Sequence, residues 1–125
     1  MAQVITTDLF DDWFRSLDAA DKEKVAYYVD LLEQVGVALD HPYSSAVNGT
    51  SRHGGGLREL RVQAKGRPLR VFYRFDRRRN AIVLCGGNKQ GVKEVIFYAE
   101  AILAADSAYD HWLEYGAAAF ELDDE

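Results

Sequence analysis

Apolar residues along the chain switch between two periods. Leu9, Trp13, Phe14 and Leu17 recur at helical spacing, as do Val25, Tyr28, Val29, Leu32 and Val35 with charged positions opposite. The first set predicts a helix capped by Asp8 and running through Leu17, with its stripe in the core. The second predicts a helix that starts at Asp18 or Asp21 and stops at Gly36, and the short link between them predicts an antiparallel helical hairpin. Before both, Val4 to Thr6 is β-branched and predicts a short strand at a sheet edge or beside a central partner.

Residues 39–56 turn to Pro, Ser, Asn and Gly and end in Arg52-His53-Gly54-Gly55-Gly56, which predicts a loop with no regular element. Leu57 to Val62, Leu69 to Phe75 and Ala81 to Cys85 then predict three strands in consecutive antiparallel hairpins. Val92 to Tyr115 returns to helical spacing. Val95, Tyr98, Ala99, Ile102, Leu103 and Tyr109 are expected to pack, and the Asp106-Ser107 step is expected to interrupt the helix. Residues 121–125 form an acidic tail too poor in apolar side chains to fold alone. The fold class expected is therefore α+β: two N-terminal helices, an antiparallel sheet of about four strands and a C-terminal helix, in one domain over residues 1–120.

Charge changes this picture. The 125-residue chain is acidic, with 20 Asp and Glu against 15 Lys and Arg, yet twelve of those fifteen bases lie between Arg52 and Lys93 beside only two acids, Glu59 and Asp76. A segment that concentrates its own repulsion points to a polyanionic partner. Within it Leu69, Val71, Tyr73 and Phe75 alternate with Arg70, Phe72, Arg74 and Asp76, so one face is apolar and the other basic with one aromatic. With Leu60 and Val62 inward, Glu59, Arg61 and Gln63 turn outward. The two outward rows are expected to merge into one cationic surface.

Other chemistries find little support. No window approaches the roughly 18 apolar residues of a membrane span, and the N-terminus lacks a basic region followed by an apolar one, so a cytoplasmic location is expected. Cys85 is expected to be a buried strand residue rather than a nucleophile. His41, His53 and His111 are too scattered for a zinc pattern, and neither a metal nor a cofactor is expected.

Cutting RNA without a metal needs activation of the ribose 2′-hydroxyl, stabilisation of charge on the phosphate and protonation of the departing 5′-oxygen. Arginine and lysine suit the second task, and Arg61, Arg67, Arg70 and Lys89 come from elements expected to lie side by side. The same residues equally suit a solvated sheet face or a docking surface.

Gly56-Leu57-Arg58-Glu59-Leu60-Arg61, then Gly66-Arg67-Pro68-Leu69-Arg70-Val71-Phe72-Tyr73, then Ile82-Val83-Leu84-Cys85-Gly86-Gly87-Asn88-Lys89 resembles the RelE/ParE toxin superfamily, nearest its HigB-like branch. The resemblance covers most of the chain. It implies a microbial-RNase-type fold, a toxin of a type II toxin-antitoxin system that cuts messenger RNA at the ribosome, and a cognate antitoxin with a helix-turn-helix DNA-binding domain. By matching motifs it implies catalytic roles for Arg61, Arg70 and Lys89, and places Tyr73 at the family's strand tyrosine, although alternation puts it on the apolar face. Arg52, Arg58, Arg67, Arg74 and Tyr98 are the expected RNA contacts, Tyr98 by stacking a base or donating a proton. Family members often carry paired lysines where this chain has Asn88-Lys89-Gln90, which leaves a single cation. The general acid and base are not identified, and His53 in the glycine-rich loop is the candidate. Two alternatives stand beside this reading: a ParE-like poison of DNA gyrase, and a non-catalytic module that binds nucleic acid or protein.

Overall fold

The computed structural model describes residues 2–116; the acidic tail at 121–125 lies outside them. In chain order the elements are β1 (Val4–Thr6), α1 (Asp8–Ser16), α2 (Ala19–Val35), β2 (Ser44–Ala46), β3 (Arg58–Ala64), β4 (Arg67–Phe75), β5 (Ala81–Asn88) and α3 (Glu94–His111). The sheet has five strands in the order β1-β5-β4-β3-β2. β2 through β5 pair antiparallel, and β1 joins β5 in parallel at one edge. The α+β class holds, with one strand more than expected and a mixed sheet.

That extra strand is β2, inside the segment expected to be loop. Ser44-Ser45-Ala46 carries no strand propensity of its own. β3 supplies the pairing, and Ser44 is anchored below the surface by hydrogen bonds with the Tyr73 hydroxyl and from Arg58 Nε.

Helices cover both faces. Phe10 of α1 and Val25 and Leu32 of α2 pack against Leu60, Val62, Leu69, Val71 and Tyr73 on one side; Phe97, Ile102, Ala105 and Ala108 of α3 pack against Phe72, Ile82 and Leu84 on the other. α1 rests on β5 and α2 on β3, with at most slight contact between the two helices, so the expected helical hairpin does not form. Each helix instead buries its apolar stripe on the sheet. Within α1 the buried residue is Phe10, and Leu9 is exposed. Thr7 rather than Asp8 caps α1, accepting from Phe10 N, while Asp18 caps α2 by accepting from Asp21 N at 2.8 Å.

α3 runs unbroken through Asp106-Ser107 and is rotated from the expected face: Val95 and Leu103 point outward, while Phe97 and Asp106 are buried. Asp106 tolerates burial because Ser51 Oγ (2.6 Å) and Arg52 N (2.9 Å) donate to its two carboxylate oxygens. Both helical layers close on the sheet at Gly86-Gly87. A Cβ on Gly86 would stand 2.3 Å from the Trp13 ring of α1, and one on Gly87 would stand 3.1 Å from Phe97 of α3. Paired arginines are therefore sandwiched under α3 rather than displayed on an open sheet face.

Candidate functional site

Strand register brings the first cations together. Arg61 of β3 stands directly opposite Arg70 of β4, and Glu59 opposite Phe72, all on the α3 side of the sheet. Two like charges facing across a ladder repel, so the pair needs nearby anions or a bound one. Glu59 answers Arg70: its Oε1 lies 3.1 Å from Arg70 Nε, with each side chain only 4% exposed. The contact is an ion pair without an aligned hydrogen bond, since Arg70 Nε has no acceptor in hydrogen-bond geometry. Arg70 Nη1 donates to Leu69 O at 3.0 Å.

The end of β5 and the start of α3 complete the cluster. Tyr98 donates its hydroxyl to Glu59 Oε1 at 2.7 Å, and Lys89 Nζ sits 5.5 Å from the centre of the Tyr98 ring while pairing with Glu94 at 2.7 Å. Burial, then the Glu59 hydrogen bond and charge, push the Tyr98 phenol up to about 12 against the opposing pull of Arg70. Tyr98 is thus a proton-bearing group at any physiological pH. The Lys89 hydrogen bond and charge hold Glu94 below the usual carboxylate range, with smaller help from Arg61 and Arg70. Arg61, Arg70, Lys89 and Tyr98 therefore share one locality, with Glu59 at its centre.

The remaining basic residues go elsewhere. Arg67 turns to the opposite face, where it donates to Asp21 at 2.7 Å and lies 3.5 Å from Asp18, pinning the first turn of α2 to the sheet. Those acids raise its pKa, led by the Asp21 hydrogen bond. Arg58 reaches Ser44 and Asp40. Arg74 is buried and donates to Gly55 O, Gly54 O and Ser51 Oγ at 2.7–3.0 Å, holding the glycine-rich loop. Arg52 and His53 both contact Asp110 near the end of α3, His53 Nε2 at 2.7 Å, and the His53 bond leads in holding Asp110 below its ordinary range.

Asp110 lies twelve residues beyond Tyr98, or about 18 Å along the helix at 1.5 Å per residue. His53 is thus apart from the Arg61–Arg70–Lys89 cluster, and the expected single cationic surface resolves into that cluster and a set of structural clamps. Tyr73 is core, hydrogen-bonded to Ser44. Cys85 is buried and its thiol is pushed up to about 12 by burial, which leaves no thiolate for chemistry. Among the described residues no group of three or more His, Cys, Asp or Glu is placed to hold a metal ion, and no helix is long and apolar enough to cross a membrane.

Sequence reasoning passes over Glu59 and Glu94. The available signal is that Glu59 is one of just two acids within the basic segment and alternates onto the same face as Arg61.

A three-layer mixed sheet with converging cations under its last helix defines a class, and comparison with known proteins agrees. Residues 12–110 match the family described as phage-derived protein Gp49-like (DUF891). Two Mycobacterium tuberculosis proteins named as candidate toxins are similar: HigB2 at 39% identity over 98 residues and HigB3 at 34% over 110. The matches cover 78% of this chain and 47% of HigB2, and 88% of this chain and 92% of HigB3. The chain therefore spans about half of HigB2 and nearly all of HigB3. It belongs to the Gp49-like (DUF891) family, among the HigB-like toxins of toxin-antitoxin systems.

Proposed function

We propose that this chain acts as the toxin of a toxin-antitoxin system and is a metal-independent endoribonuclease that cuts messenger RNA on the ribosome and so inhibits translation. The observation that carries this reading is the convergence of Arg61, Arg70 and Lys89 on the Glu59–Tyr98 hydrogen bond. Three cations suit a phosphate gaining charge in a five-coordinate transition state. Glu59 takes the proton from the ribose 2′-hydroxyl, the 2′-oxygen bonds to phosphorus, and the bond to the 5′-oxygen breaks. The products are a 2′,3′-cyclic phosphate and a free 5′-hydroxyl. Tyr98 donates the proton to the departing oxygen, and the proton collected by Glu59 returns to Tyr98 across their existing 2.7 Å contact. His53, Arg52, Arg58, Arg67 and Arg74 act in this reading by shaping the protein.

The partners are a cognate antitoxin with a helix-turn-helix DNA-binding domain, the ribosome and its messenger RNA, in the cytoplasm. The test is induced expression without antitoxin, followed by labelled-precursor incorporation and cleavage mapping. Protein synthesis should stop first, and Arg61→Ala should relieve the arrest. DNA synthesis failing before protein synthesis would replace this reading with gyrase poisoning.

A further inference from the structure

A cleft of about 460 Å³ opens beside the cation cluster, between the main chain of residues 46–50 and the first turns of α3. This is within the roughly 300–1,000 Å³ range of small-ligand sites. Its sides are apolar, from Val47, Ala99 and Ile102, while Asn48, Glu59 and Tyr98 supply polar atoms. Glu59 and Tyr98 belong to both the cleft and the cluster, so a ligand in the cleft lies next to whatever the cations hold. The combination of flat apolar walls, polar groups and adjoining phosphate-binding charge matches one nucleotide.

We propose that the cleft holds a single nucleobase of the RNA strand, adjoining the phosphate engaged by Arg61 and Lys89, and that Asn48 reads its edge. The carboxylates lining the cleft only accept hydrogen bonds, so they favour a base with an exocyclic amino group over uracil. This inference rests on the nuclease reading and adds a specificity site to it.

Ala99→Phe tests it, because Ala99 is exposed and touches neither the Arg70–Glu59 pair nor Lys89, so the added ring enters the cleft without disturbing the cluster. Cleavage sites are mapped on translating ribosomes for wild type, Ala99→Phe and Asn48→Ala, with thermal unfolding as the folding control. Binding of AMP and UMP to the full chain is measured in parallel. Expected are a loss of cleavage of about 10- to 100-fold for Ala99→Phe, a changed pattern of cut sites for Asn48→Ala, and AMP binding that exceeds UMP binding and disappears in Ala99→Phe.

A folded Ala99→Phe that cuts the same sites at the wild-type rate overturns the base site and leaves the nuclease reading standing. Loss of antitoxin capture by Ala99→Phe with cleavage unchanged overturns it too, assigning the cleft to the antitoxin. Absence of any cleavage by wild type removes the nuclease reading itself.

Discussion

Removing the Arg70 guanidinium leaves the Glu59 carboxylate buried without its cation, and breaking such a pair from one side costs about 3–5 kcal/mol. Arg70→Ala is therefore expected to lose both activity and most of its resistance to urea, so its inactivity alone proves no catalytic role. The double change Glu59→Leu with Arg70→Met should recover stability but not cleavage. Arg61→Ala, at a half-buried position with no such partner, should keep stability within about 0.5 kcal/mol while cleavage falls about 10²-fold. Tyr98 adds a pH signature. Its pKa rises from 10.0 to about 12 in the folded protein, so the folded state disfavours the phenolate. Stability linked to this group is complete below pH 10 and is lost as pH climbs towards 12. Urea midpoints across that window should fall for wild type and much less for Tyr98→Phe; equal slopes would dissociate Tyr98 from the Glu59 contact.

Gly86 sets the distance between α1 and β5. Gly86→Ala should cost about 1–3 kcal/mol through forced displacement of Trp13, read as a lower thermal midpoint, whereas Gly66→Ala meets no neighbour and suffers only from its positive φ. Elements of this kind differ in how well the sequence announces them. Two-residue alternation in β4 correctly divides Leu69, Val71 and Tyr73 from Arg70, Phe72 and Arg74. Alternation assigns a side chain to a face but says nothing of what lies on it, and α3 covers the second face. α3 itself is apolar nearly all round, so its buried side cannot be chosen by periodicity, and Phe97 and Asp106 are missed in favour of Val95 and Leu103. β2 is hidden because its three small residues owe their strand to β3. In the site, Arg61, Arg70 and Lys89 are legible from charge and motif. Glu59 is not, because a single acid among bases reads as charge balance until the ion pair is seen.

Across the whole molecule the basic middle and the acidic remainder answer each other. Asp18 and Asp21 meet Arg67, Asp40 meets Arg58, Glu94 meets Lys89 and Asp110 meets Arg52. The concentrated positive charge of the sequence is thereby spread over several faces and largely quenched. Affinity for single-stranded RNA should consequently fall with salt at a log–log slope of about −2 to −3, corresponding to the three cluster cations at about −0.7 each, instead of the about −8 that twelve independent cations would give. Fluorescence titrations from low to physiological salt measure this directly, and a slope near −8 would show that the clamps release their acids when RNA arrives.

Asp106, deep in the contact between α3 and residues 51–52, has a consequence for timing. By gripping Ser51 and the Arg52 amide while Arg74 grips Gly54 and Gly55, it freezes the far end of the segment that walls the cleft. Ordering a backbone residue costs about 1–2 kcal/mol of conformational entropy, and here that loss falls at folding rather than at the encounter with a ligand. Asp106→Ala would convert a jaw that is set in advance into one that must close on each arrival, with weaker capture although no atom touching the ligand had changed.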